Sequence, residues 1–276
     1  MEGQLVGDRP SILDLLDLEF IEENLYRSSV IVEGPRARLF GGQVAAQALF
    51  VAGKTVPEGR LPHSLHGYFL RAGSPLRPTL FQVERDRDGH SFSARRVVAI
   101  QNGEVIFNMA ASFSAPRPSP QGPSAQALPD GDATPPPGFP PIGDLPAWKS
   151  SRHASFEFRQ PPSPHRISER FWIKCLDPLP PPEEEPLLHA AVLTYISDIG
   201  TGLVAMETPG YHAASSVDHA VWFHRQAQMG DWIWVDLRPE TVAGGRGWYT
   251  GAFYTPDGAR VASLAQEMLF RKVVTT

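Results

Sequence analysis

The chain repeats itself. An apolar, helix-like run, FGGQVAAQALFVAG, is followed by HSLHGYFLR and then by TLFQVERDRDGHSFSARRVVAIQNGEVIFNMAASF. A second apolar run, LLHAAVLTYISDIG, is followed by SSVDHAVWFHR and then by WIWVDLRPETVAGGRGWYTGAFYTPDGARVASLAQEMLF. Each copy carries an aromatic–Arg stretch (residues 69–71 and 223–225), a Gly-plus-aromatic restart and an Asn-Gly or Asp-Gly turn. The turn glycines Gly103 and Gly258 stand 155 residues apart. That spacing is too long for a solenoid period and fits a duplicated domain. Whatever one copy folds into, the other must fold into as well.

The length, 276 residues, accommodates two such units with a core each. With 42% hydrophobic and 20% charged residues the chain reads as globular, and a net charge of −5 gives no argument for nucleic-acid binding, which would want a basic face. No apolar run is long enough to span a membrane. The first residues lack the basic-then-apolar pattern of a signal peptide, and the last are not a Ser-Lys-Leu address. The lone Cys175 excludes an internal disulfide and a multi-cysteine metal site. A cytoplasmic, reducing location is expected.

Residues 10–30 read as a short amphipathic entry helix and a strand. Residues 38–53 read as a helix: Val44, Ala48, Val51 and Ala52 share a stripe widened by Ala45 and Leu49, which calls for burial. Phe81 and Val83 alternate with Gln82 and Glu84 as in a half-buried strand. Asn102-Gly103 marks a hairpin. From Pro116 to Pro146 there are 11 prolines, which bar helix and central strand alike. The expected layout is one unit over 1–115, a proline-rich linker over 116–164 and a second unit over 165–276. A buried helix followed by a long antiparallel sheet, repeated, is an α+β arrangement.

The strings FGGQVAAQAL, HSLHGYFLRAGS, DGHSFSARRVVAIQNGEVIFNMAASF, SSVDHAVWFHR and GAFYTPDGARVASLAQEMLFR together resemble the acyl-CoA thioesterase II family, over nearly the whole chain outside the linker. The resemblance implies a double hotdog fold, with two antiparallel sheets each wrapped around a central helix. It implies hydrolysis of fatty acyl-CoA to free acid and CoA, with no metal and no organic cofactor. The family's catalytic Asp, Ser or Thr, and Gln map onto Asp198, Ser216 and Gln266, all in the second copy. Gln266 falls opposite Ala111 in the repeat, and Asp198 roughly opposite Ala52. One site per chain is therefore expected, with the first copy serving as scaffold or binding wall. A Gln at position 226, where the family has Pro, is expected to alter a loop only.

The residue chemistry fits. A thioester is already activated, so its hydrolysis needs a positioned water, a base and a place for the oxyanion. No G-x-S-x-G elbow occurs. Asp198 is expected at the C-terminal end of the second helix, with Gly200 as its stop. There the helix dipole and partial burial both raise its basicity. Ser216 and Gln266 offer donors and acceptors to water, base or thioester. The oxyanion is expected near Gly41 and Gly42. Gly89, Ser91, Phe92, Ser93, Arg95 and Arg96 form the expected CoA-binding segment, with an arginine either reaching a phosphate or lying on a solvated strand face. His63 and His66, or His219 and His224, lack metal-site spacing. Asp218 and His219, as strand neighbours, face opposite ways. Cys175 reads as an inert packed thiol. Two rival functions are an acyl-CoA sensor without turnover and a hotdog enoyl-CoA hydratase. The oligomeric state is open from monomer to tetramer.

Overall fold

A computed structural model describes residues 10–28, 38–117, 155–161, 169–208 and 210–272. Helix α1 (Ile12–Leu16) leads into strands β1 (Leu18–Glu22) and β2 (Leu25–Ser28), then helix α2 (Gly41–Lys54) and strands β3 (Leu61–Phe69), β4 (Leu80–Asp88), β5 (Phe92–Gln101) and β6 (Glu104–Ser114). The second half holds β7 (Phe156–Arg159), β8 (Arg170–Cys175), α3 (Pro186–Ser197), β9 (Tyr211–Ser216), β10 (Asp218–Phe223), β11 (Ile233–Ala243), β12 (Arg246–Tyr254) and β13 (Arg260–Lys272).

The strands form one continuous antiparallel sheet in the order β1-β2-β4-β5-β6-β3-β10-β13-β12-β11-β8-β7, with β9 paired to β13 off this path. Read outward from the β3–β10 seam, the two halves have the same order. At the seam His66 pairs with Ala220, Leu65 with Val221 and Gly67 with His219. Aligning the aromatic–Arg stretches of the two repeats makes His66 and Ala220 equivalent positions. A local two-fold axis therefore passes through that pair, and the expected double hotdog is present.

The sheet wraps α2 and α3. Helix α2 has no side-chain N-cap bond, and it buries most of its length, including Val44, Leu49, Val51 and a run of alanines. Burying each of the larger aliphatic side chains contributes roughly 1.5–3 kcal/mol. The small residues let α3 approach closely: a Cβ on Gly42 would stand 2.4 Å from the Tyr195 carbonyl oxygen. The N-terminus of α2 thereby meets the C-terminus of α3. Entry helix α1 is tied to both halves, since Gln47 Nε2 donates to the Leu15 carbonyl at 2.7 Å and the Ile12 N–H donates to Asp177 at 2.7 Å.

The Asn102-Gly103 hairpin forms between β5 and β6 with φ of 52° and 78°, the positive values such a turn requires. Residues 10–28 hold two strands rather than the expected one. Asn24, at φ 62°, closes a hairpin between them. Strand β7 lies inside the sequence-assigned linker yet pairs with β8. Most of that linker, residues 118–154, lies outside the described residues. Among the described residues no helix is long and apolar enough to cross a membrane.

Candidate active site

Asp198 is the C-cap residue of α3. Its carboxylate reaches across to the N-terminus of α2, where the Gly42 N–H donates to it. A Cβ on Gly41 would stand 2.6 Å from Asp198 Oδ2. The uncapped N-terminus of a 14-residue helix thus receives its anion from the other repeat. The Gly42 N–H, expected near an oxyanion, faces the Asp198 carboxylate.

Ser216 ends β9, and the strand is interrupted at Val217 before β10. Both strands pair with β13, and at the break Asp218 Oδ1 accepts the Glu267 N–H at 2.6 Å in place of a ladder bond. This offset turns the Ser216 hydroxyl toward Asp198 Oδ1, at 3.3 Å. Gln266 lies in β13 on the inward face and is 1% exposed. Its Nε2 donates to Asp198 Oδ1 at 3.0 Å and to Ser216 Oγ at 2.6 Å. The three residues picked out in the sequence therefore converge on one carboxylate oxygen.

His219, which the sequence gives only as lacking metal-site spacing and facing away from Asp218, belongs to this network. It is fully buried. With Gln266 Nε2 facing the carboxylate, Gln266 Oε1 faces His219, so the imidazole Nδ1–H donates to it. On the other side Nε2 lies 2.7 Å from Ser197 Oγ. The available signal was parity: His219 shares a strand face with Val221, a core residue. Asp218 and His219 do face opposite ways, as expected.

Burial raises the pKa of Asp198 above the ordinary carboxylate value. The His219 charge, the Gln266 and Ser216 hydrogen bonds and the Gly42 N–H work against that rise. Desolvation is the largest influence, and it makes the carboxylate a stronger base than a solvated one. Tyr249, fully buried beside this cluster, has its phenol pushed well up by burial and by the Asp198 and Asp218 charges. It stays neutral.

Asp198 and Ser216 open on a cleft of about 520 Å³ between the two repeats. Phe69, Ile106 and Phe107 from the first repeat and Met268 from the second form apolar wall. Arg38, Arg71 and Arg271 stand among its lining residues. Arg71 could have been found from the aromatic–Arg stretch. A cleft with an apolar wall, a carboxylate and guanidinium groups among its lining residues suits an acyl chain with an anionic carrier.

The expected CoA-binding segment lies elsewhere. Phe92 pairs with Ser114 at one end of β6, whereas Phe107 of the cleft is seven residues earlier, roughly 24 Å along the strand. Arg95 corrects the expectation most plainly, being 0% exposed. Its guanidinium donates to Thr55 Oγ1 at 2.8 Å, to the Thr55 carbonyl at 2.8 Å and to Asp88 at 2.8 Å. Arg96 is exposed and paired with Asp86 and Glu84. The Gly89 N–H bonds the Phe92 carbonyl at 2.9 Å, Ser91 accepts from Arg117, and Ser93 donates to Asp88. Aligned by helix ends, the first-repeat counterpart of Asp198 is Thr55, the C-cap of α2, and not Ala52. Arg95 occupies it. Cys175 is buried, and burial pushes its thiol up to about 12.

Two family models match the chain: an acyl-CoA thioesterase N-terminal domain over residues 33–114 and an acyl-CoA thioesterase C-terminal domain over residues 120–270. Acyl-coenzyme A thioesterase 8 of Homo sapiens is 33% identical, covering 98% of this chain and 92% of that protein. Acyl-CoA thioesterase 2 of Haemophilus influenzae is 30% identical, covering 95% and 97%. A crystal structure of an acyl-CoA thioesterase II from Mycobacterium marinum matches with TM-score 0.76 at 36% identity, over 96% of this chain and 98% of the other.

Proposed function

Because this chain belongs to the acyl-CoA thioesterase II family, we propose that it hydrolyses fatty acyl-CoA to free acid and CoA with a water activated by Asp198, Ser216 and Gln266. One observation carries this reading: Gln266 Nε2 and the Ser216 hydroxyl both meet Asp198 Oδ1, at 3.0 Å and 3.3 Å, beside a cleft with an apolar wall. Asp198 removes a proton from water as the water oxygen attacks the thioester carbonyl. The tetrahedral intermediate collapses with loss of the CoA thiolate, which takes the proton back. Ser216 fixes the water against the carboxylate. Gln266, oriented by His219, keeps Asp198 and Ser216 in register. The first repeat contributes Gly41, Gly42 and the Phe69–Phe107 wall. The phosphates of CoA fit the arginines of the cleft, Arg71 foremost, rather than Arg95 or Arg96.

The test is release of free thiol from palmitoyl-CoA, followed with a thiol reagent, by the wild type and by Asp198→Asn. Removing the base while keeping the shape should lower kcat by roughly 10²–10⁴-fold. Binding without thiol release would leave the sensor reading. A change in enoyl absorbance on an unsaturated substrate would favour the hydratase.

A further inference from the structure

The two-fold axis through His66 and Ala220 carries the catalytic cleft onto a second one. Phe69 and Arg71 map to Phe223 and Arg225, and the α2 N-terminus at Gly41 maps to Pro186 at the α3 N-terminus. That second cleft is present, with a volume of about 450 Å³, at the other end of the β3–β10 seam. It has lost the chemistry. Ser216 maps to Pro62, Gln266 to Ala111 and Asp198 to the Arg95-bound Thr55, so no base, hydroxyl or amide stands in the catalytic arrangement.

The cleft has kept an apolar floor and a cationic rim. Leu61, Leu193 and Phe223 line it, together with the guanidinium groups of Arg117 and Arg225, which also donate to Ser91 Oγ and, at 2.8 Å, to the Arg260 carbonyl respectively, and among the described residues that line it there is no carboxylate. In a chain of net charge −5, two arginines on a cleft whose described lining holds no carboxylate make a local positive site. His63 is half-buried and His224 more exposed; desolvation lowers the pKa of both, with the Arg260 and Arg225 charges adding to it at His224, so they face the cleft as neutral donors and acceptors. Pockets of this size hold ligands of several hundred daltons.

We propose that this second cleft is a non-catalytic binding site for an amphiphilic anion, an acyl chain ending in a negatively charged head group. The proposal rests on the thioesterase reading for the source of such ligands. The head group is either the carboxylate of the released fatty acid or the phosphates of acyl-CoA. Arg225 meets it as Arg71 meets the substrate in the catalytic cleft, and the chain lies along Leu193 and Phe223.

The experiment uses the full-length chain and two photo-crosslinkers: a diazirine-bearing palmitic acid, and its CoA thioether, which cannot be hydrolysed. Labelled peptides are mapped by mass spectrometry. Labelling within residues 190–193 and 223–227, competed by unlabelled palmitate, is expected in addition to labelling around Phe69 and Ser216. If only the thioether labels the second cleft, the phosphates are the head group; if both label it, a carboxylate suffices. Arg225→Glu should lower second-cleft labelling roughly tenfold or more, through loss of a charge-assisted pair. Labelling confined to the catalytic cleft in the wild type would overturn the proposal, whatever the variant does. Thiol release from palmitoyl-CoA by the same preparation reports separately on the catalytic cleft.

Discussion

Gly41 and Asp198 come from different repeats and touch: a Cβ added at Gly41 would lie 2.6 Å from Asp198 Oδ2 and 2.8 Å from the Phe69 ring. Neither neighbour can give way without cost, since one is the carboxylate proposed as the base and the other a cleft wall. Gly41→Ala should therefore fold and still lose kcat on the order of 10²-fold, the penalty of displacing a catalytic group by about 1 Å. Steady-state kinetics on palmitoyl-CoA decides it, and wild-type kcat would show that the carboxylate tolerates displacement.

Asp198 also sets a pH signature on stability. Burial raises its folded-state pKa, so the native chain holds that proton more tightly than the unfolded chain does. Stability then falls as pH rises from the ordinary carboxylate value, about 3.9, to the raised one, and stays low above it. Asp198→Asn is free of this loss. Its Tm should exceed that of the wild type at neutral pH, on the order of a few °C, and the gap should close below the ordinary carboxylate value. Thermal melts across that range check the sign; equal Tm values at neutral pH would mean that burial does not penalise the charge.

His219→Ala leaves the Gln266 carbonyl oxygen buried without its donor, which costs about 1–3 kcal/mol in stability. With its amide no longer oriented, Gln266 should hold Asp198 and Ser216 less well, and kcat should fall roughly tenfold or more with little change in KM. Added imidazole should restore part of kcat. A variant that loses Tm but keeps kcat would make His219 a packing residue only.

Arg95 and Arg71 should separate cleanly. Arg95→Ala removes a buried guanidinium from Thr55 and Asp88, so stability should fall on the order of 3 kcal/mol with KM unchanged. Arg71→Ala should instead raise KM more than it lowers kcat, because a phosphate contact remote from the thioester holds ground and transition states alike. The reverse pattern would return the CoA phosphates to β5.

Local chemistry made much of this legible in advance. The apolar stripe of α2, the Asn102-Gly103 hairpin and the position of Asp198 at a helix end all follow from periodicity and turn preferences. Arg95 was misread because its charge was given more weight than its place. It shares strand parity with Val97 and Ala99, both buried, and parity decided. His219 is the same case beside Val221. The cap that Asp198 provides for α2 had no sequence signal, because it joins residues far apart through the packing of two helices. The seam of β3 and β10 was likewise set by the three-dimensional symmetry of the duplication.

That seam lies within a single polypeptide. In a dimer of identical short subunits every codon is read into both clefts, so a change that abolishes one base abolishes both. Fusing the subunits gives each cleft its own stretch of DNA. Natural selection can then act independently on position 198 and on position 55, where Thr55 is held by Arg95, and the second cleft becomes raw material on which a different trait can be built without interrupting the first.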